Sequence, residues 1–152
     1  MIFNRQRRTQ VALAELQRFL SRARRALRLP AGSFAVCLVT NAQIARWNRY
    51  YRGKSGPTDV LSFPVESAGK PRRGKNSRPY GHRSADGHYL GDIAIAPVIA
   101  RSNARRFGRS FDEEMRILVL HGMLHLMGYD HETDRGQMDR REKKMRRALG
   151  LA

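Results

Sequence analysis

Three histidines, His121, His125 and His131, fall within the eleven-residue segment His121-Gly122-Met123-Leu124-His125-Leu126-Met127-Gly128-Tyr129-Asp130-His131. Imidazole is the commonest side-chain ligand for metals, and zinc in particular takes it readily. A four-residue step on an α-helix turns about 40° past one full revolution, so His121 and His125 project from adjacent turns of one face toward a common point. Gly128 suits the left-handed conformation that ends a helix and reverses the chain, bringing His131 back as a third nitrogen donor. Three protein ligands leave one coordination position open, which is the arrangement of catalytic rather than structural zinc. Such an ion lowers the pKa of a water at that position to about 7. One Zn2+ per chain is the expected cofactor, although nickel or manganese would also accept three imidazoles.

The spacing matches that of the metzincin proteases, which carry a glutamate directly after the first histidine as general base. Here that position is Gly122, which argues against a metalloprotease. The expected chemistry is metal-assisted hydrolysis of a different substrate.

Several elements must position these ligands. Ser110-Phe111-Asp112-Glu113 is a capping box that opens a helix running to about 127, and Gly128 stops it. A last helix over 133–149 places Met138, Glu142, Met145 and Leu149 along one side. Upstream, Leu13, Leu16, Leu20, Ala23 and Leu27 are spaced for one face of an amphipathic helix, which Pro30-Ala31-Gly32 ends. Residues 34–39 read as a buried strand, with Cys37 as a small hydrophobe inside it, and Thr40 or Asn41 caps a helix through Tyr50. Residues 60–65 and the alternating run 89–96 read as further strands, Pro97 opens a helix to about Phe107, and Ile2 and Phe3 are candidates for an edge strand. Between 66 and 88 glycine, proline and basic residues replace aliphatic ones, as in a basic flexible loop. The expected fold is a single α+β domain over 1–152, with a small mixed sheet packed by helices and the metal site on a central helix and its following turn.

Charge points to the partner. Thirty Lys plus Arg oppose thirteen Asp plus Glu, for a net charge of +17 in 152 residues, while 41% hydrophobic residues suffice for an ordinary core. Such a surface suits a polyanion, and a phosphate backbone is the polyanion expected here rather than a membrane. The one cysteine rules out an intrachain disulfide, and the absence of an apolar leader or spanning stretch makes the cytoplasm the expected location. No small-molecule cofactor is expected.

The His121 to His131 segment resembles, residue for residue, the H-G-x-L-H-L-x-G-Y-D-H signature of the YbeY family of endoribonucleases. Two further blocks agree in order. Asn48-Arg49-Tyr50-Tyr51-Arg52-Gly53-Lys54-Ser55-Gly56-Pro57-Thr58-Asp59-Val60-Leu61-Ser62-Phe63-Pro64 is similar to the family's N-x-x-Y-R-x-K-x-x-P-T-D-V-L-S-F-P, and Leu90-Gly91-Asp92-Ile93 to its L-G-D-I.

The resemblance implies a bacterial, single-strand-specific, metal-dependent endoribonuclease acting in 16S rRNA 3′ end maturation and ribosome quality control. The ribosome or a small-subunit ribosomal protein is then an expected partner. It implies His121, His125 and His131 as zinc ligands and Arg52 as the arginine needed for activity. A planar guanidinium suits a phosphodiester gaining charge, whereas Lys54 adds electrostatic attraction alone. Asp92 and Asp130 are read either as carboxylates that orient a ligand histidine or as turn formers, and Asp59 as structural. His82 and His88 are read as loop histidines without a metal role. The segment 66–88 departs from the family in length and basicity. The competing reading is a non-enzymatic ribosome-associated RNA-binding factor with a structural metal site.

Overall fold

A computed structural model describes residues 1–65, 89–130 and 132–151 of the chain. In order, the elements are β1 (Ile2–Asn4), α1 (Leu13–Ala26), β2 (Phe34–Leu38), α2 (Asn41–Arg52), β3 (Val60–Pro64), β4 (Gly91–Ile95), α3 (Pro97–Phe107), α4 (Phe111–Leu126) and α5 (Gln137–Ala148). The sheet order is β1-β2-β4-β3. β1 with β2 and β2 with β4 pair in parallel, whereas β3 runs antiparallel to β4. This is the α+β architecture with a small mixed sheet that the sequence predicts, and Ile2 and Phe3 do form an edge strand.

The two central strands decide where the core lies. Every residue of β2 and of β4 is buried, so the alternation read over 89–96 is not realised as one wet and one dry face. A strand flanked on both edges and covered on both faces excludes water from all its side chains. On one face Val36, Leu38, Ile93 and Ile95 pack with α1, α4 and the buried methionines of α5. On the other, Cys37, Val39, Leu61, Phe63 and Ala94 pack with Ile44 of α2, backed by Trp47 and Tyr51.

Local signals set most helix ends. Thr40 Oγ1 accepts from Gln43 N at 3.2 Å, Pro97 occupies the first turn of α3, and Ser110 Oγ accepts from Glu113 N at 3.1 Å. Each satisfies or removes a donor that the helix itself leaves without a partner. Two expectations fail. Leu13 is 39% exposed, because the apolar face of α1 is completed by Phe19 instead. α5 begins at Gln137 rather than 133, because the Asp134 carboxylate accepts from Gly136 N and Met138 N, both at 2.8 Å, and caps the helix four residues later. The expected basic loop at 66–88 lies outside the described residues. No helix among the described residues is long and apolar enough to cross a membrane.

α4 is buried on nearly all sides, as an apolar helix at the centre of a helical layer must be. It lies close against the sheet at Gly122, where an added Cβ would stand 2.7 Å from Ile93 Cγ2. Ser62 Oγ of β3 donates to Gly122 O at 3.2 Å. The backbone between the two helical histidines is thereby pressed against β3 and β4.

Candidate active site

His121 and His125 lie on the last two turns of α4 and are half-buried. Their Nε2 atoms are 3.1 Å apart and their rings meet edge to face, with centroids 4.7 Å apart and an interplanar angle of 75°. Two imidazole nitrogens bound at tetrahedral corners about 2.05 Å from one zinc ion would stand about 3.3 Å apart. The pair therefore fits two corners of such a site.

The orientation of one ring follows from its other contact. His121 Nδ1 lies 2.8 Å from Glu142 Oε1, on a glutamate whose side chain is 16% exposed. The contact orients the ring through Nδ1 and leaves Nε2 facing His125. Glu142 is held in turn by α5, whose Met138 and Met145 are buried beneath it, and by Arg146 Nη1 at 3.8 Å from its second oxygen. Sequence reasoning placed Glu142 on the buried side of α5 without giving it a role. A lone carboxylate in an otherwise apolar stripe was the available signal.

Beyond His125 the helix ends as its residue types predict. Gly128 adopts φ +100°, Gly128 N donates to His125 O at 3.0 Å, and Tyr129 N donates to Leu124 O at 3.1 Å, which closes the last turn and redirects the chain. Asp130 Oδ1 accepts from Glu132 N at 3.0 Å, and its carbonyl accepts from Thr133 N and Asp134 N. Asp130 thus acts as a turn former. His131 lies outside the described residues, and among the described ones no group of three or more His, Cys, Asp or Glu side chains surrounds a single point.

Arg52 reaches this turn from the opposite side of the sheet. It ends α2, and its Nη2 stands 3.3 Å from Glu132 Oε1 with both side chains well exposed. Glu132 is a second residue that sequence reasoning missed, and nothing in its local pattern marks it. The loop after Arg52 is braced from within, because Gly53 takes φ +66° and the buried Asn48 donates from Nδ2 to Gly56 O at 2.9 Å. Lys54 is exposed, and its backbone N donates to Asn48 O.

Three other carboxylates contact the scaffold. Asp59 Oδ1 accepts from Val60 N at 2.8 Å and Oδ2 from Asn103 Nδ2 at 3.0 Å, tying β3 to α3 as a structural aspartate should. Asp92 is fully buried on β4 and accepts from the Tyr89 hydroxyl. Glu114 is 3% exposed and ion-paired with Arg109 at 3.0 Å. Burial raises its carboxyl above the usual glutamate range, and the Arg109 guanidinium only partly offsets this.

Comparison with known proteins shows the family. A family model described as Endoribonuclease YbeY matches residues 1–150. The chain belongs to the YbeY endoribonuclease family. It is 38% identical to an Endoribonuclease YbeY of Koribacter versatilis over 151 residues, covering 99% of this chain and 86% of that one. It is 42% identical to that of Solibacter usitatus over 118 residues, covering 78% and 67% respectively. Among solved structures it resembles the solution structure of a Thermotoga maritima protein, with TM-score 0.58, 29% identity, and 98% of this chain and 89% of that chain covered. The His121 and His125 pair, the Arg52 loop and the Gly91-Asp92 strand of this chain all fall inside the YbeY match.

Proposed function

We propose that the chain is a zinc-dependent endoribonuclease that cuts single-stranded RNA, with the metal on His121, His125 and His131 and Arg52 engaging the phosphate. Its substrate is the 3′ end of 16S rRNA, cut in ribosome maturation and quality control. The observation that carries this reading is the 3.1 Å approach of the two Nε2 atoms in a member of the YbeY family. In this reading His131, the third histidine of the 121–131 segment, is the third ligand. The setting is the cytoplasm, with the ribosome or a small-subunit ribosomal protein as partner, and the basic surface gathers the RNA.

When bound, the ion supplies Lewis-acid charge to a phosphodiester and acidifies a neighbouring water. The chain's residues do the rest. Glu142 keeps His121 oriented with Nε2 facing His125. Arg52 exchanges its contact with Glu132 for the non-bridging phosphate oxygens and steadies the charge that grows there, a role suited to its planar fork. The sequence position that carries the general base in a metzincin is Gly122 here, where a side chain would run into Ile93. This geometry disfavours peptide hydrolysis and suits a substrate that brings its own negative charge. Analysis of the product ends distinguishes the nucleophile: water leaves a 5′-phosphate or a 3′-phosphate, whereas the ribose 2′-hydroxyl leaves a cyclic phosphate.

The test is cleavage of a single-stranded rRNA fragment with an unprocessed 3′ end by four preparations: metal-replete protein, chelated protein, and folded His125→Ala and Arg52→Ala variants. Cutting by the replete protein alone supports the assignment. Equal cutting by all four would trace to a contaminating nuclease. RNA binding without cutting would favour the docking factor over the enzyme.

A further inference from the structure

Among the described residues four large apolar side chains are exposed: Met1, Leu13, Tyr50 and Phe107. Phe107 has guanidinium groups against its ring, Arg109 at 5.1 Å and Arg106 at 5.6 Å from the centroid. Tyr50, at 52% exposure, is placed differently. Its ring meets that of Tyr51 edge to face at 4.8 Å and 83°, and Tyr51 meets Phe63 at 5.0 Å and 75°. Phe63 is buried in β3 and also touches Trp47 at 5.6 Å. The exposed ring therefore stands on an aromatic row rooted in the core, which limits its freedom to fold away from solvent.

Its neighbours are cationic. Arg46 lies four residues before Tyr50 on the same face of α2, Arg49 precedes it on the adjoining flank, and both are exposed with it. Arg52 follows two residues later and points to Glu132, beside the turn that leaves the histidine helix. An exposed aromatic ring between phosphate-seeking side chains is the recurring arrangement for binding single-stranded nucleic acid. The cations track the backbone and the ring stacks on a base, whatever that base is. Cations alone attract duplex and single strands alike, whereas a ring needs an unstacked base.

We propose that Tyr50 is a base-stacking platform for single-stranded RNA, next to the nucleotide whose phosphate Arg52 engages, with Arg46 and Arg49 holding the backbone on its flank. This rests on the endoribonuclease reading. It gives strand selectivity a residue, separate from the residues that perform the cleavage.

The test is equilibrium binding of the metal-replete full chain to a labelled 2′-O-methyl oligouridine dodecamer, checked intact afterwards, and to an abasic strand with the same phosphates. Tyr50→Ala should bind the oligouridine about 5- to 150-fold more weakly. Tyr50→Phe and Tyr50→Trp should stay near the parent, and all of them should bind the abasic strand alike. Tyr50→Ala should leave the slope of log affinity against log salt unchanged, whereas Arg49→Ala should reduce it by about 0.7. A Tyr50→Ala protein that binds oligouridine like the parent, or that loses equally on the abasic strand, would overturn the stacking role while leaving the RNA reading intact. A parent that binds neither strand would overturn both.

Discussion

His121 Nδ1 and Glu142 Oε1 are 2.8 Å apart across 21 residues of chain, so the ring that opens the histidine pair is oriented by a carboxylate from the last helix. Carboxylate–imidazole contacts of this kind raise ligand basicity and hold the ring in place before the metal arrives. Glu142→Ala should weaken zinc binding about 10- to 100-fold, measured by competition with a chromophoric chelator, with Glu142→Gln intermediate. Zinc should also raise the midpoint of thermal unfolding less in Glu142→Ala than in the parent. Unchanged affinity in a folded Glu142→Ala protein would remove the orienting role.

Arg52 and Glu132 form an exposed pair, and such pairs stabilise by about 0–1 kcal/mol. Glu132→Gln should leave urea unfolding within that range and leave cleavage intact. Arg52→Ala should instead lower kcat/KM by about 100-fold or more, and Arg52→Lys should recover little of it because an ammonium lacks the planar fork. Full recovery by lysine would reduce the role of Arg52 to bulk charge.

Gly122 faces Ile93 so closely that a methyl group at its Cβ position would sit 2.7 Å from Ile93 Cγ2. Alanine is the better helix former by about 1 kcal/mol, yet overpacking costs about 1–3 kcal/mol. Gly122→Ala should therefore lose stability in chemical denaturation, and the loss should shrink when Ile93→Ala is combined with it. A stabilised Gly122→Ala single variant would show that the helix shifts without cost.

Glu114 carries a raised carboxyl pKa, for which burial is the leading cause. A folded-state pKa above the unfolded value means that the folded protein holds the proton more tightly. Its contribution to stability is fully present below the unfolded carboxyl pKa, about 4.3, and is lost as pH rises through the folded value. Glu114→Gln is neutral throughout, so its thermal midpoint should gain on the parent as pH climbs from about 4 through the folded pKa. A difference that stays constant with pH would mean that the Arg109 ion pair compensates burial fully.

Signals that act over one or two helical turns were legible in the residue order. The four-residue step between His121 and His125, Thr40 and Ser110 as caps, Pro97 in a first turn and the reversal at Gly128 all depend on backbone geometry within a few residues. The apolar faces that place α1 and α5 on the core were legible for the same reason, apart from Leu13 and the cap at Asp134. The strand read over 89–96 is present at Gly91–Ile95, but burial of both faces of β4 depends on which elements cover it, and no strand carries that information in its own period.

Sequence thus determined the histidine pair, the class of fold and the cationic character of the surface. Tertiary structure alone decided that Glu142 holds His121, that Arg52 meets Glu132 across 80 residues, that Gly122 is pressed on Ile93 and that Tyr51, against which Tyr50 rests, meets Phe63. The contacts of Glu142, Arg52, Gly122 and Tyr51 each join different elements of the fold. Their distances are set by how helices and strands pack against a shared core, and side-chain volume and layer order govern that packing where periodicity is silent.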